Sequence, residues 1–532
     1  MGNWSVLRLI PRRAAAPRGP GSTHRVSRPP TDLPVILEAA PRRVPERHLQ
    51  PSADMARVPQ LPSDHPDNAH PIEALERHFC ATRLSLAILV ATSAMPLAAA
   101  AQSVDQVATV PPNVVLANYD NVPVGPFGGL EGPAYVARVS DPSAAWFNPA
   151  GLARQTSAQI SGSAGAYQWT AVSPQALPNR GGSAQQLPNY VGFTFRVRER
   201  LTAGAALLTT NSWIQEIDSQ LITSVPTGQE RFAYSADSTF TQRVGAVGAG
   251  YESQGPWRVG GGLAFSLVRL RLVQGISDRV AHDTGLDTLL VAARASGSSL
   301  QLRAQGGVQY ETPLVHFGAA VRTPGLTMHR EGVVTLDGTL SRGAASLGGS
   351  LFDADALFEY RLPWELQAGA AYIRDRVVVE VDLQGYTSIA AHALLATDQP
   401  TLIYGDAGTG SPPSVILRPF GGLTSESDGV VNVSVGGHVQ PLRHRSFQVH
   451  GGFATSRSPV GAADQVFNKV DLSSWTAGVS GAVARFQFAL GFNWRLGTTS
   501  DVLVRNLLNG DPIRTPVDIR TGGFIYSVAY QF

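Results

Sequence analysis

From about residue 158 to its last residue, the chain alternates apolar and polar side chains with a period of two. In Leu300–Tyr310 one face carries Leu300, Leu302, Ala304, Val308 and Tyr310, and the other carries Gln301, Arg303, Gln305 and Gln309. Val191, Phe193, Phe195 and Val197 alternate with Thr194, Arg196 and Arg198, and Val377, Val379, Val381 and Leu383 with Arg376, Glu380, Asp382 and Gln384. Successive side chains of a strand point to opposite sides, so this is a sheet with one apolar and one polar face. The pattern predicts about fourteen strands, near 158–169, 190–198, 201–213, 238–251, 257–270, 299–310, 314–323, 361–374, 376–387, 429–441, 445–455, 473–484, 485–496 and 521–532. The connections sort by length. Short links such as Glu199-Arg200, Asp375 and Ala484-Arg485 alternate with long ones at 171–189, 214–237, 271–298, 324–360, 388–428, 456–472 and 497–520. An even strand number with short turns at one end and long loops at the other defines a transmembrane antiparallel β-barrel. A soluble sandwich has no reason to sort its loops this way.

The closing segment agrees. Phe524, Tyr526, Val528, Tyr530 and Phe532 share one face, and the chain ends on an aromatic residue. Aromatic side chains favour the bilayer interface. A terminal Phe on an amphipathic strand resembles the signal read by the outer-membrane barrel assembly machinery, which makes Phe532 the expected contact with that partner.

Upstream of the alternation the text is different. Residues 1–54 are rich in Arg and Pro and lack either period, so they cannot bury enough apolar area to offset their ordering entropy. Arg83 then introduces an apolar run from Leu84 that ends in small residues at Ala99-Ala100-Ala101, the layout of a secretory signal peptide. The expected domains are a leader and n-region (1–82), a signal-peptide core with its cleavage site (83–101), a lumenal segment (102–157) and the barrel (158–532). The whole sequence has a basic pI of about 8.7, but residues 102–532 hold 30 basic and 32 acidic side chains. Nothing in that balance points to nucleic acid. The single Cys, Cys80, leaves with the leader, which excludes a disulfide framework or a Cys-based metal site. No P-loop, His-Glu-x-x-His or Gly-x-Ser-x-Gly is present, and no His pair has metal-ligand spacing. We expect no enzyme, no cofactor and no metal.

Between cleavage site and barrel stands Ala137-Arg-Val-Ser-Asp141-Pro-Ser-Ala-Ala-Trp146-Phe-Asn148-Pro149-Ala150-Gly151-Leu-Ala153. Asn before Pro favours a turn with extended backbone. This segment resembles the FadL/TodX family of outer-membrane transporters for long-chain fatty acids and hydrocarbons, and Thr241–Tyr251, Leu362-Pro363 and Gly451–Ala454 look like strands of the same family. The resemblance implies a fourteen-stranded barrel in the outer membrane, surrounded by its lipid. It also implies an N-terminal hatch in the lumen, built on Asp141, Asn148, Pro149, Ala150 and Gly151, and a hydrophobic small-molecule ligand that diffuses through without cofactor or energy source. It places ligand capture on the third and fourth long loops. There Thr284–Ala293 is expected to form a short amphipathic helix exposing Leu286, Leu289, Leu290 and Val291, and 324–360 carries Met328, Leu351 and Phe358. A carboxylate head group would want an inward Arg, for which Arg243, Arg303 and Arg322 are candidates. Lateral exit at a kinked third strand would fall at Gly204 or Asn211. Two other readings stay open: a barrel of this fold with no substrate, serving as a structural or secretion-assembly component, and a general porin.

Overall fold

The computed structural model describes residues 113–174, 181–225, 228–282, 285–342, 345–406, 414–420, 422–442, 446–499, 502–505 and 512–532. The expected leader, signal peptide and cleavage site, with residues 102–112, lie outside them.

Strands β1 (Gln159–Pro174), β2 (Gly181–Arg198), β3 (Leu201–Val225), β4 (Gly228–Glu252), β5 (Trp257–His282), β6 (Gly285–Glu311) and β7 (Val315–Arg322) follow one another antiparallel. Next come β8 (Leu326–Arg342), β9 (Ala345–Phe358), β10 (Glu365–Arg374), β11 (Val377–Tyr386), β12 (Ile389–Ala396), β13 (Pro400–Asp406), β14 (Ser414–Pro419) and β15 (Leu423–Ser427). The chain finishes with β16 (Val430–Val439), β17 (Gln448–Ser456), β18 (Val470–Val483), β19 (Phe486–Thr499), β20 (Val502–Arg505), β21 (Pro512–Thr515) and β22 (Val517–Gln531). Fourteen of these close a ring in the order β1 to β7, β10, β11, β16 to β19 and β22, and β22 pairs back onto β1 from Gln159↔Gln531 to Pro174↔Val517. They are the fourteen segments that the alternation marks. Closure leaves the ring no free edge strand, as a lipid-facing sheet requires.

The apolar face points outward. Phe193, Phe195, Val379 and Val381 are exposed, while their neighbours Thr194, Glu380 and Asp382 are buried in the interior. Aromatic side chains ring the short-turn end on the outside, among them Tyr251, Trp257, Tyr372, Phe486 and Phe532. A second set, Trp169, Trp475 and Trp494, stands farther up. Phe486 and Trp494 lie eight residues apart on β19. At about 3.3 Å per residue and a tilt near 40°, that is roughly 20 Å, close to the apolar band of a membrane barrel. The molecule is a transmembrane β-barrel.

Several connections expected as loops are strands instead. β3 to β6 run for 25, 25, 26 and 27 residues, where about 9–11 suffice to cross a bilayer. β3 and β4 pair up to Val225↔Gly228, and β5 and β6 up to His282↔Gly285. The helix expected over Thr284–Ala293 is not formed: Gly285–Ala293 belong to β6, and Thr284 lies outside the described residues. Leu286, Leu289, Leu290 and Val291 fit a helical stripe, but β5 pairs with all four and β8 with Leu289–Val291. That tertiary pairing overrides local preference. The connection at 324–360 becomes β8 and β9, and that at 388–428 becomes β12 to β15.

Candidate functional site

Residues 113–157 lie inside the ring, and nearly every side chain from Val114 to Ala153 is buried. Their core is the motif singled out in the sequence. Asp141 accepts from the Ser143 amide at 2.7 Å and from the Tyr135 hydroxyl at 3.0 Å, starting the single turn of helix α1 (Ala144–Phe147). Burial pushes the Asp141 carboxyl above the usual range. Asn148 is extended, with φ −160° and ψ 105°, as a residue before proline should be. Its side chain caps the 3₁₀ turn Pro149–Arg154 by accepting from the Ala150 amide at 3.2 Å. The Asn148 amide group also donates to Val136 O at 3.0 Å and to Val308 O of β6 at 3.1 Å. One side chain thus ties the segment to itself and to the wall. Close approach needs bare backbone on both sides: a Cβ on Gly307 would overlap Asn148, and one on Gly151 would overlap the Val139 carbonyl.

Around this motif the lower lumen is polar and charged. Arg138 forms an ion pair with Glu131 and another, at 2.6 Å, with Glu380 of β11. Glu131 Oε1 also lies within hydrogen-bond distance of His438 and His450 Nδ1, at 2.9 and 2.6 Å. Burial raises its carboxyl, but Arg138 and the two histidines outweigh burial and hold it well below the carboxylate range. Asp382 receives the Tyr135 and Val136 amides at 2.7 and 3.0 Å, and Glu380 receives the Ala137 amide at 2.6 Å. Asp120 accepts from the Tyr386 hydroxyl at 2.9 Å and Gln384 at 3.1 Å, and burial pushes its carboxyl up to about 6.

The upper lumen is apolar. Val114–Ala117 pack with Trp213, Phe240, Phe358, Tyr360, Phe467 and Ile519 in one buried cluster. Above it, on the strands that rise beyond the membrane band, a cleft of about 580 Å³ is lined by Tyr234, Ile276, Leu290 and Val291 with Asp218 and Asp337. Tyr234, Ile276, Val291 and Gly338 stand in one cross-strand row of β4, β5, β6 and β8.

The remaining candidates separate clearly. Leu290 lines the cleft, Leu286 and Met328 are exposed, and Leu289 is half-buried. Leu351 and Phe358 are buried in the apolar cluster, so they cap the lumen from within. Arg303 and Arg322 point inward, but both engage Glu365 of β10. Arg322 also donates to Trp146 O and stacks on the Trp146 ring, 3.6 Å from its centroid. Arg303 donates to Thr323 O at 2.7 Å and Pro363 O at 2.9 Å. Apart from Arg322 Nε, the donors named are committed to the wall and the lumenal segment. Arg243 does not face the lumen: it is exposed, and Gln242 and Val244 are the inward residues of β4. It stands near the outer rim of the apolar band, where its long stem can carry the charge to water.

Gly204 is no kink. It sits in regular register opposite Thr194 and Gly248, and its missing side chain makes room for Leu152. The irregularity in β3 is a β-bulge between Thr209 and Asn211. β2 and β3 pair up to Tyr190↔Leu208 and, among the described residues, no further. The lumenal segment fills the gap. Val122 N donates to Thr210 O at 3.1 Å, Asn121 donates to Asn211 Oδ1 at 2.8 Å, and Asn189 of β2 donates to Pro123 O at 3.1 Å. Sequence reasoning missed Asp120, Glu131 and Arg138. Their signal was present: they are the only charged residues in 113–140, and a lone charge in an apolar stretch needs a partner.

The fold and its filled lumen define a class: a fourteen-stranded transmembrane barrel with residues 113–157 packed inside it. The same fold is found in the toluene transporter TodX of Pseudomonas putida, with a TM-score of 0.50 over 78% of this chain and 99% of that one, at 13% identity. A FadL homologue of Pseudomonas aeruginosa aligns over 78% of this chain and 100% of its own at 12% identity and a TM-score of 0.49. The sequence matches no protein-family model and no curated protein.

Proposed function

We propose that the protein is an outer-membrane transporter for hydrophobic small molecules, long-chain fatty acids or hydrocarbons, that passes them by diffusion through a barrel gated by residues 102–157 acting as a hatch. The observation that carries this reading is the division of the lumen: an apolar upper compartment, topped by a concave apolar cleft, rests on a hydrogen-bonded polar plug. A ligand site of this kind needs mostly apolar walls with a few polar groups for orientation, and Tyr234, Ile276, Leu290 and Val291 beside Asp218 and Asp337 meet that need. The toluene transporter that shares the fold supports the ligand class. The bulge at Thr210, just beyond the last described β2–β3 pair Tyr190↔Leu208, supports a lateral exit there, closed at rest by Asn121–Pro123. With Arg303 and Arg322 committed to Glu365, the plan favours a ligand without an obligatory carboxylate. Reaching the membrane rests on signal-peptide export and on assembly-machinery recognition of Phe532.

The test is uptake into liposomes. Purified protein should accelerate entry of an alkylbenzene or a long-chain fatty acid over empty vesicles, and deletion of 102–150 should change that rate. No acceleration of either, together with stable co-purification of periplasmic or surface proteins, would replace the transporter with the substrate-free assembly component. Passage of small sugars at porin rates by the intact chain would replace it with a porin.

A further inference from the structure

His438 and His450 are twelve residues apart in sequence, which is no ligand spacing, yet the β16–β17 hairpin sets them directly opposite one another as a cross-strand pair. Their rings lie 5.2 Å apart on the inner wall. Glu131 of the lumenal segment reaches between them. Its Oε1 is 2.9 Å from His438 Nδ1 and 2.6 Å from His450 Nδ1, and the three donor atoms all lie within 4.8 Å of one another. The approach is built into the wall, since a Cβ on Gly436 or Gly452 would overlap the Glu131 backbone.

The surrounding hydrogen bonds decide which atoms carry protons. Ser480 donates to Gln448 Oε1 at 3.2 Å, so its oxygen is left to accept from His450 Nε2, 2.7 Å away. With the proton on Nε2, the Nδ1 of a neutral His450 is a lone pair aimed at a carboxylate oxygen. Two lone pairs facing each other at that distance need a proton or a metal ion between them, and a metal ion also engages His438, 2.9 Å from the same oxygen. Such an outer hydrogen bond on the far nitrogen is how ligating histidines are usually oriented. The other oxygen of Glu131 is held by Arg138, which fixes the carboxylate in the same way. Two imidazoles and one carboxylate suit a late first-row divalent ion such as Zn²⁺, whereas Mg²⁺ and Ca²⁺ prefer all-oxygen sites. Ligands about 2.0–2.1 Å from the metal stand about 3.3 Å from each other in a tetrahedron. The two Glu131–histidine spacings, 2.9 and 2.6 Å, reach that with small adjustments, and the two histidine nitrogens, within 4.8 Å of each other, close on the ion by turning their rings. Glu131 and His450 are fully buried, while the His438 side chain is 17% exposed and gives the site a way in.

The geometry points to a divalent transition-metal site, Glu131–His438–His450, that clamps the lumenal segment to the barrel wall. Three protein ligands leave one coordination position for solvent, as in exchangeable sites. The clamp joins segment and wall whatever molecule the barrel passes.

The experiment uses the untagged full chain in detergent, stripped with a chelator and reloaded with ZnCl₂. One Zn²⁺ should stay with each chain through gel filtration, and X-ray absorption should show two imidazole nitrogens in its shell at about 2.0–2.1 Å. H438Q/H450Q should lose the ion. S480A keeps all three donors and should bind about 10- to 100-fold more weakly. At a hundredfold excess of Zn²⁺ over its Kd, hydrogen exchange of the amides around Glu131 should slow roughly 100-fold in the native chain and not in H438Q/H450Q. Zinc retained equally by H438Q/H450Q, a shell without imidazole, or no retained zinc would each overturn the site. Should H438Q/H450Q fail to fold, the native spectrum decides alone.

Discussion

The two halves of the lumen are held by different physics. In the lower half, charged and polar side chains do the holding: Arg138 between Glu131 and Glu380, Asp382 under two amides, and Arg322 against Glu365 and Trp146. In the upper half the side chains of Val114–Ala117 pack against Trp213, Phe240, Phe358 and Phe467, while the backbone of Val114 and Val115 is hydrogen-bonded to Gln215, Trp213 and Asn468. Apolar packing is non-directional, so a hydrophobic guest of suitable size replaces one set of contacts with another. A buried ionic network has no such substitutes, because removing one partner strands the others. The upper half is therefore suited to exchange its contents, and the lower half to hold fast until the network is broken as a unit.

That contrast is open to direct attack. Arg138→Ala should do the most damage, about 3–5 kcal/mol, because it takes the arginine partner from two buried carboxylates, Glu131 and Glu380. The loss should appear as early protease cleavage of the lumenal segment and should change little between low and high salt, since a buried pair is weakly screened. Leu116→Ala should cost about 3 kcal/mol through the cavity it leaves. Unlike the first variant, it should recover stability when a small aromatic hydrocarbon is added in a thermal melt. Asn148→Ala should cost about 1–2 kcal/mol, having removed the ties to Val136 and Val308 at 3.0 and 3.1 Å. Faster hydrogen exchange at Ala150 would register it.

The smallest effect is one of pH. Asp120, raised from 3.8 to about 6 when seated, is harder to ionise in place than when released. Its penalty sets in as pH rises above 4 and is complete above 6, so acidification from pH 7 to pH 5 should tighten seating of the segment. Exchange rates around Asp120 at the two pH values should show this, and Asp120→Asn should abolish the difference.

The barrel was legible because its physical cause is local: each strand must turn one face to lipid and the other to the lumen, and the alternation records that strand by strand. The seat of the motif was legible for a similar reason, since Asn148-Pro149 dictates its own backbone. What failed is what depends on partners distant in sequence. Leu286–Val291 read equally well as a helical stripe or as a strand until β5 and β8 are known to flank them. Arg243 was assigned to the lumen, but Phe240, Gln242 and Val244 set the inward parity of β4. Asn211 adjoins the irregularity in β3, a register slip at Thr210 that depends on the pairing with β4. Glu131, His438 and His450 come from three separate places in the chain, and only closure of the ring brings them together.

The length of β3 to β6 carries one more consequence. β5 has 26 residues, of which about nine cross the apolar band, so the rest stand roughly 40 Å clear of it. The mouth of the apolar cleft then opens beyond the lipid head groups and their nearest sugars. A greasy molecule would be met in the surrounding water, before it ever partitioned into the bilayer.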